Sequence, residues 1–512
     1  MPCVSSCATN LEKLPMTRPR RTVPDCRPAR CPPRGESPML SGTRFAPSFS
    51  LNCENYSMTI SRRDLLGAAT ATLFLASGRN EPKFSLATFR VDVTCPIGHP
   101  LLGRRQGVAK QIADPLYAHG WVLLGVGDPI VLVAVDWCEI RNDAYDRWRE
   151  VLAEAAGTSP ERILLCSVHQ HDAPLADLGA EKLLARFGMS GEMFDVDFFE
   201  QTGQRIAAGL YESLSNARTI THLGLGQSKV QNIASNRRVV LADGTVTFRR
   251  GSNGAGDRLN REAADGLIDP WLKTISFWDQ DNLVTALSAY ATHPMSYYGG
   301  GEVSADFVGM ARERRRRDDT SVQQIYVSGC SGDVTAGKYN DASRANRAVL
   351  ADRLYQGMTA AWKVTGRVPL EHVAFRSTKL DLEFRKSEHF SAEAMRRILE
   401  NEQAGRKERV AAAMGLSTRQ RLSDGHKIDV PCLDLGPAQI VLLPGEAFVG
   451  YQLFAKTLRP DSFVMSIGYS ECWPGYLPTE AAFEDNFDGH WLWVAPGAEA
   501  RIQDALRKVM SP

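Results

Sequence analysis

His169 and His171 stand one residue apart in SVHQHDAP, directly after the apolar run ILLC, in a chain that has ten histidines. On an extended backbone, side chains at i and i+2 share a face. The two imidazoles can therefore act together, one as a metal ligand and the other as a proton carrier. His293 closes the run LSAYAT and Glu446 closes IVLLPG, adding a further nitrogen and an oxygen. Two imidazoles and a carboxylate, with a position left for water, form a hydrolytic zinc donor set. Zinc brings the pKa of its bound water down to about 7. Other polar residues fall at the same kind of place: Asp136 after IVLVAV, Ser331, Asp333 and Thr335 after IYVSG, and Tyr469 and Tyr476 after FVMSIG. Each has a plainer role open to it. The HQH pair can be hydrogen-bonded scaffold, His293 before Pro294 can end a strand, Glu446 can favour a helix N-terminus, and Tyr476 can be a packed turn aromatic. Recurrence at one kind of position is what points to a metal-dependent hydrolase.

These residues need strands that end together. DPIVLVAVDWCEI and ERILLCSV read as strands buried on both faces, because they are apolar throughout rather than alternating. NDAYDRWREVLAEAAG between them has helical periodicity and stops at Gly157. DVDFFEQTGQRIAAGLYESLSNA and RANRAVLADRLYQGMTAAWKV are further helices. LKTISFWDQDNLVTALSAYATHP reads as a hairpin turning at Asp279 to Asn282. AQIVLLPGEAFVGYQLFAKTL is strand, turn and helix, and residues 386–428 read as an excursion of surface helices. The expected class is α/β, with a mixed, mostly parallel sheet flanked by helices and the site at the carboxyl ends of its strands.

Composition fits a globular enzyme. The 512 residues are 43% hydrophobic with a net charge of +1, so nothing suggests a nucleic-acid partner. Residues 1–57 hold five of the eleven cysteines, much Pro, Arg and Ser, and no periodicity, as in an unstructured leader or a mis-assigned start. Residues 58–85 follow with Arg62-Arg63 before an apolar run from Leu65 to Ala76, the pattern of a twin-arginine export signal and too short for a comfortable membrane span. Residues 86–512 are expected to form one catalytic domain. Its six cysteines make no CxxC, and Cys138, Cys166 and Cys330, in or next to apolar strands, suit buried free thiols.

Taken in order, the motifs resemble the catalytic domain of the neutral (alkaline, non-lysosomal) ceramidases. HQHDAPLAD is similar to that family's HTHSGPGG, and ATHPMSYYGGGEVSAD to its His-Pro-[TM]-S element. GCSGDVTAG is similar to its GDxSP loop, LLPGEAF to its PGE, GYLPTEAAFED to its Tyr before TTxEEY, and SNRRV to an NR element. The resemblance runs from about residue 88 to 500 and implies zinc held by His169, His293, Glu446 and Tyr476. It implies His171 as acid/base, Thr335 in the place of a catalytic serine, and Asp333 orienting that loop. The implied reaction is hydrolysis of an N-acyl amide by metal-activated water, on a small or lipid-like substrate that would bring the enzyme into peripheral contact with membranes. Three departures are visible. Asp-Ala-Pro-Leu-Ala replaces Ser-Gly-Pro-Gly-Gly after the histidine pair, threonine replaces serine, and the family's C-terminal β-domain has no counterpart after the Tyr476 segment. An esterase, a deacetylase, another carbonyl hydrolase, or a binding protein without catalysis would use the same scaffold.

Overall fold

The computed structural model describes residues 83–487 and 492–511. They belong to one compact unit, Gly78–Pro512. The leader and nearly all of the twin-arginine segment lie outside the described residues, and by Phe84 the first strand has begun.

Three sheets are built on one plan. The first contains β1 (Phe84–Asp92), β2 (Tyr117–Leu124), β3 (Ile130–Val135), β4 (Ile163–Ser167) and β5 (Arg218–Ile220), in the order β4-β3-β2-β1-β5. Helix α1 (Asn142–Ala156) crosses from β3 to β4 and makes them parallel; the other neighbours are antiparallel. It ends where Gly157 takes a left-handed φ of 66°, a conformation glycine adopts without a Cβ penalty. Helices α2 (Leu178–Ala185) and α3 (Val196–Leu214) follow β4. The second sheet has β6 (His222–Lys229), β7 (Trp271–Asp279), β8 (Asn282–Tyr290), β9 (Gln323–Ser328) and β10 (Gly366–Pro369), ordered β9-β8-β7-β6-β10. Here α4 (Asp306–Asp318) links the parallel pair β8 and β9, and α5 (Arg344–Lys363) follows. The third sheet runs β11 (Ala374–Leu380), β12 (Ile428–Asp434), β13 (Ala438–Leu442) and β14 (Phe463–Ile467). Helices α6 (Ala392–Glu400) and α7 (Arg406–Ser423) interrupt it, α8 (Val449–Leu458) joins the parallel pair β13 and β14, and α9 (Ala498–Met510) closes the described chain.

The α/β class and the mixed sheet are as expected. The proportion of parallel pairing is not: each of the three sheets has one parallel pair, and the rest of its pairs are antiparallel. Burial on both faces removes the alternation that would have distinguished the two. In β3, Val131, Val133 and Val135 face the core under α1 and α3, while Ile130, Leu132 and Ala134 face a second core shared with the other two sheets. The 386–428 segment also differs from expectation. Helix α7 buries Val410, Ala412, Ala413 and Met414 in the first core, so it is structural packing rather than a solvated excursion. The hairpin over Asp279–Asn282 is present, and the six cysteines in the described residues are free and buried. Among the described residues, no helix is long and apolar enough to cross a membrane.

The plan matters because the carboxyl ends of β4, β9 and β14, the edge strands of the three sheets, meet. Ser167 N donates to Tyr469 O (2.9 Å), Gly468 N to Ser328 O (3.0 Å), and the Ser328 hydroxyl to Val168 O (2.8 Å). Within each sheet the loop leaving the first parallel strand pairs with the loop leaving the second. Cys138 N reaches Pro174 O, His293 N reaches Val334 O, and Glu446 N reaches Gly475 O. Three carboxyl ends thus converge on one place, where ligands bind in open α/β sheets.

Candidate active site

Six side chains from the three sheets meet there. His169 follows β4 and takes a φ of 76°; Tyr469 follows β14 at the equivalent offset with a φ of 60°. Left-handed backbone at non-glycine residues is costly and persists where the surroundings enforce it, commonly at functional sites. The two rings stack at 4.3 Å, with 21° between their planes. His293 follows β8. Glu446 follows the β13 turn, where Gly445 has a φ of 53° and a Cβ would approach Gly475 O to 2.5 Å. That close approach requires the glycine of LLPGE.

The Glu446 Oε2 atom lies 2.9 Å from His293 Nε2 and 3.6 Å from His169 Nε2. Each imidazole commits its other nitrogen to a backbone carbonyl: His169 Nδ1 to Cys138 O at 2.9 Å, and His293 Nδ1 to Ser331 O at 2.6 Å. A carbonyl only accepts, so both Nδ1 atoms carry the proton and both Nε2 atoms can turn lone pairs toward the carboxylate. His293 Nε2 and Glu446 Oε2 are buried and have no hydrogen-bond partner. A cation between them would satisfy both groups. Donors 2.0–2.1 Å from a tetrahedral ion stand about 3.3 Å apart, and the two measured edges bracket that spacing. The ring of His171 stands 5.4 Å from that of His169 and 5.7 Å from that of His293. Ligand-capable atoms of the three histidines fall within 4.8 Å of one another, as do those of Glu139, His169 and Glu446.

Electrostatics couple the same three groups. Burial disfavours charge on His169, but the Glu446 carboxylate outweighs it and raises its pKa. Burial and the Arg237 guanidinium pull His293 down to about 4. Burial would raise the Glu446 carboxyl, yet the two imidazoles hold it well below the usual carboxylate range. Burial and the two neighbouring imidazoles hold His171 far below its ordinary value, so it is neutral at pH 7. His169, His293 and Glu446 are buried, whereas His171, Tyr298 and Arg237 are half-buried. The cluster is less covered on this second group's side. The His171 ring contacts Tyr298 at 4.6 Å.

The other expected residues are placed as follows. Tyr476 pairs along the backbone with Glu446, and its phenol reaches the same carboxylate. Burial, with that carboxylate, pushes the phenol above its ordinary range. Asp333 accepts from Val449 N at the start of α8 and from Asn236 Nδ2, both at 2.8 Å, and its carbonyl takes Arg237 N at 2.7 Å. It therefore holds together the segments bearing Arg237 and Glu446, and burial pushes its carboxyl up to about 6. The Thr335 hydroxyl makes neither of its hydrogen bonds to an imidazole. That hydroxyl donates to Arg250 O at 2.7 Å and accepts from Gly337 N at 2.9 Å, which ties down its loop. Asp136 also turns away, into a bidentate pair with Arg312 at 2.7 Å.

Reading residues alone missed Glu139, Arg141 and Tyr298. The signal for Glu139 was a second carboxylate, three residues after Asp136, in VAVDWCEI. Arg237 was noted only within SNRRV. Its guanidinium lies 5.6 Å over the Tyr476 ring and donates to Met295 Sδ at 3.7 Å, with no ion pair among the described residues.

Neither a family model nor a curated protein matches the sequence. Solved structures do match the fold. A ceramidase complexed with C2 superposes with a TM-score of 0.60 at 14% identity, covering 84% of this chain and 75% of that one. The neutral ceramidase from Pseudomonas aeruginosa gives 0.61 at 16%, covering 84% and 74%. The three sheets of this chain thus have the fold of the neutral ceramidases.

Proposed function

We propose that this protein is a zinc-dependent hydrolase of the neutral ceramidase type that cleaves an N-acyl amide, and that it is exported through its twin-arginine segment. One observation carries the metal reading: His293 Nε2 and Glu446 Oε2 face each other at 2.9 Å, buried and with no hydrogen-bond partner. His169, His293 and Glu446 would hold the ion, with the Tyr476 phenol as the fourth donor. Bound zinc supplies a water acidic enough to be hydroxide near neutral pH and a positive centre for the acyl oxygen.

The chain's own residues do the rest. The carbonyls of Cys138 and Ser331 fix both imidazoles in the ligating tautomer. Arg237, which makes no ion pair among the described residues, would face the oxygen that becomes negative as the acyl carbon turns tetrahedral. Neutral His171 accepts the proton released when water adds to that carbon. It returns the proton to nitrogen as the C–N bond breaks, so a carboxylate and an amine leave. Tyr298 packs on His171 and narrows the approach on the half-buried side. The Thr335 hydroxyl is held by its own loop, which favours water over a threonine nucleophile.

The test is a panel of N-acyl lipids, N-acetyl sugars and simple esters, assayed with zinc-loaded and chelator-stripped protein. Release of amine from an N-acyl lipid only when zinc is present supports the reading. Hydrolysis confined to esters, or unaffected by stripping, overturns it. Export is checked by fractionating cells that express the Arg62→Lys/Arg63→Lys variant, which should stay cytoplasmic while the parent does not.

A further inference from the structure

We propose that Glu139 is a positioning residue for the metal centre: its carboxylate, held by Arg141, polarises the His169 imidazole and sets how tightly the site retains its ion. This rests on the metal reading above. Glu139 is 2% exposed. Its carboxylate and the ligand-capable atoms of His169 and Glu446 lie within 4.8 Å of one another. It follows Cys138, whose carbonyl takes the His169 Nδ1–H, so its negative charge lies beside the imidazole that this bond orients. Carboxylates behind ligating histidines raise ligand basicity and fix ring orientation.

Arg141 shows why Glu139 acts on the ligand rather than as one. Its side chain is fully buried and donates to Glu139 Oε2 at 2.9 Å, to Cys472 O at 3.1 Å and to Trp473 O at 3.1 Å. One carboxylate oxygen is therefore already taken by a guanidinium, and an ion bound there would meet buried positive charge. The same arginine spans from the loop leaving β3 to the loop leaving β14, which carries Tyr469 and Tyr476. Its Nε lies 3.6 Å from buried Asp177. An ion pair taken wholly out of water adds little net stability over apolar packing. A pair placed against the ligand shell therefore points to the ion as its purpose.

The test is zinc affinity, measured by competition with a chromophoric chelator, together with the visible spectrum of the Co²⁺-substituted full chain. In Glu139→Gln the zinc dissociation constant should rise about 10–100-fold, and the cobalt bands should shift. In Glu139→Gln/Arg141→Met the Glu139–Arg141 pair is removed whole and Asp177 keeps its hydrogen bonds to Asn142, Ser417 and Ala180 N, so affinity should lie between that variant and the parent. If the single variant does not fold, the double variant decides alone, again binding more weakly than the parent. Affinities and cobalt spectra indistinguishable from the parent would overturn the proposal, since a merely structural pair would alter unfolding temperature only. Parent protein that takes up neither ion would instead overturn the metal reading itself.

Discussion

Two buried polar clusters lie at the carboxyl ends of the strands, and they are completed differently. Around Asp136 every charge is met. Arg312 donates to both carboxylate oxygens at 2.7 Å, Gln170 adds a bond at 3.1 Å, and Tyr117 N adds one at 2.9 Å. Around Glu446, buried to the same degree, His169 and His293 spend their protons on carbonyls and turn their other nitrogens toward a carboxylate that offers none. Burial and residue type do not distinguish these clusters. The supply of donors does: the first is closed within the protein, and in the second the proposed cation would supply what the donors do not.

The sharpest way to break that contrast is to remove a ligand. His293→Ala should abolish both zinc retention and hydrolysis, as read by total-metal analysis and amine release. His171→Ala should keep the metal and lower kcat by about 10²–10⁴-fold, the usual contribution of a positioned acid/base. Loss of metal in that variant would move His171 into the ligand set. Because His171 is held well below its ordinary value, the zinc-saturated enzyme should lose no turnover to its protonation as pH falls through about 6.5. A falling limb there that His171→Gln removes would contradict this. On the closed side, Asp136→Asn leaves Arg312 buried and uncompensated. It should cost about 3–5 kcal/mol of stability in denaturant unfolding, with zinc affinity of the folded protein unchanged. The smallest effect is expected from Thr335→Val. It orphans Gly337 N and should cost about 1–3 kcal/mol while lowering kcat far less than His171→Ala. The reverse order of turnover would restore a hydroxyl nucleophile.

Much of this was legible in the sequence because strand ends leave a mark. An apolar run that stops at a histidine or a carboxylate shows where the chain places chemistry, and His169, His293 and Glu446 were found that way. The turn at Asp279–Asn282 and the stop at Gly157 are local features and were equally readable. What stayed hidden depends on partners far along the chain. Asp136 and His169 read alike until Arg312, 176 residues from Asp136, closes on one of them. Thr335 reads as a free hydroxyl until Arg250 O, 85 residues away, accepts its proton. Glu139 was masked by its apolar neighbours, and its arginine reaches loops more than 300 residues on, at Cys472 and Trp473. Pairing direction was hidden too, since strands covered on both faces carry no alternation.

The most direct measurement is the metal content of purified protein, taken for the parent and for Glu446→Gln. The parent should carry one divalent ion per chain, zinc when zinc is supplied, and the variant should carry almost none while remaining folded. A parent that hydrolyses its substrate with no bound metal, or a variant that keeps the ion at full occupancy, would show that the facing donors at the strand ends are not a metal site.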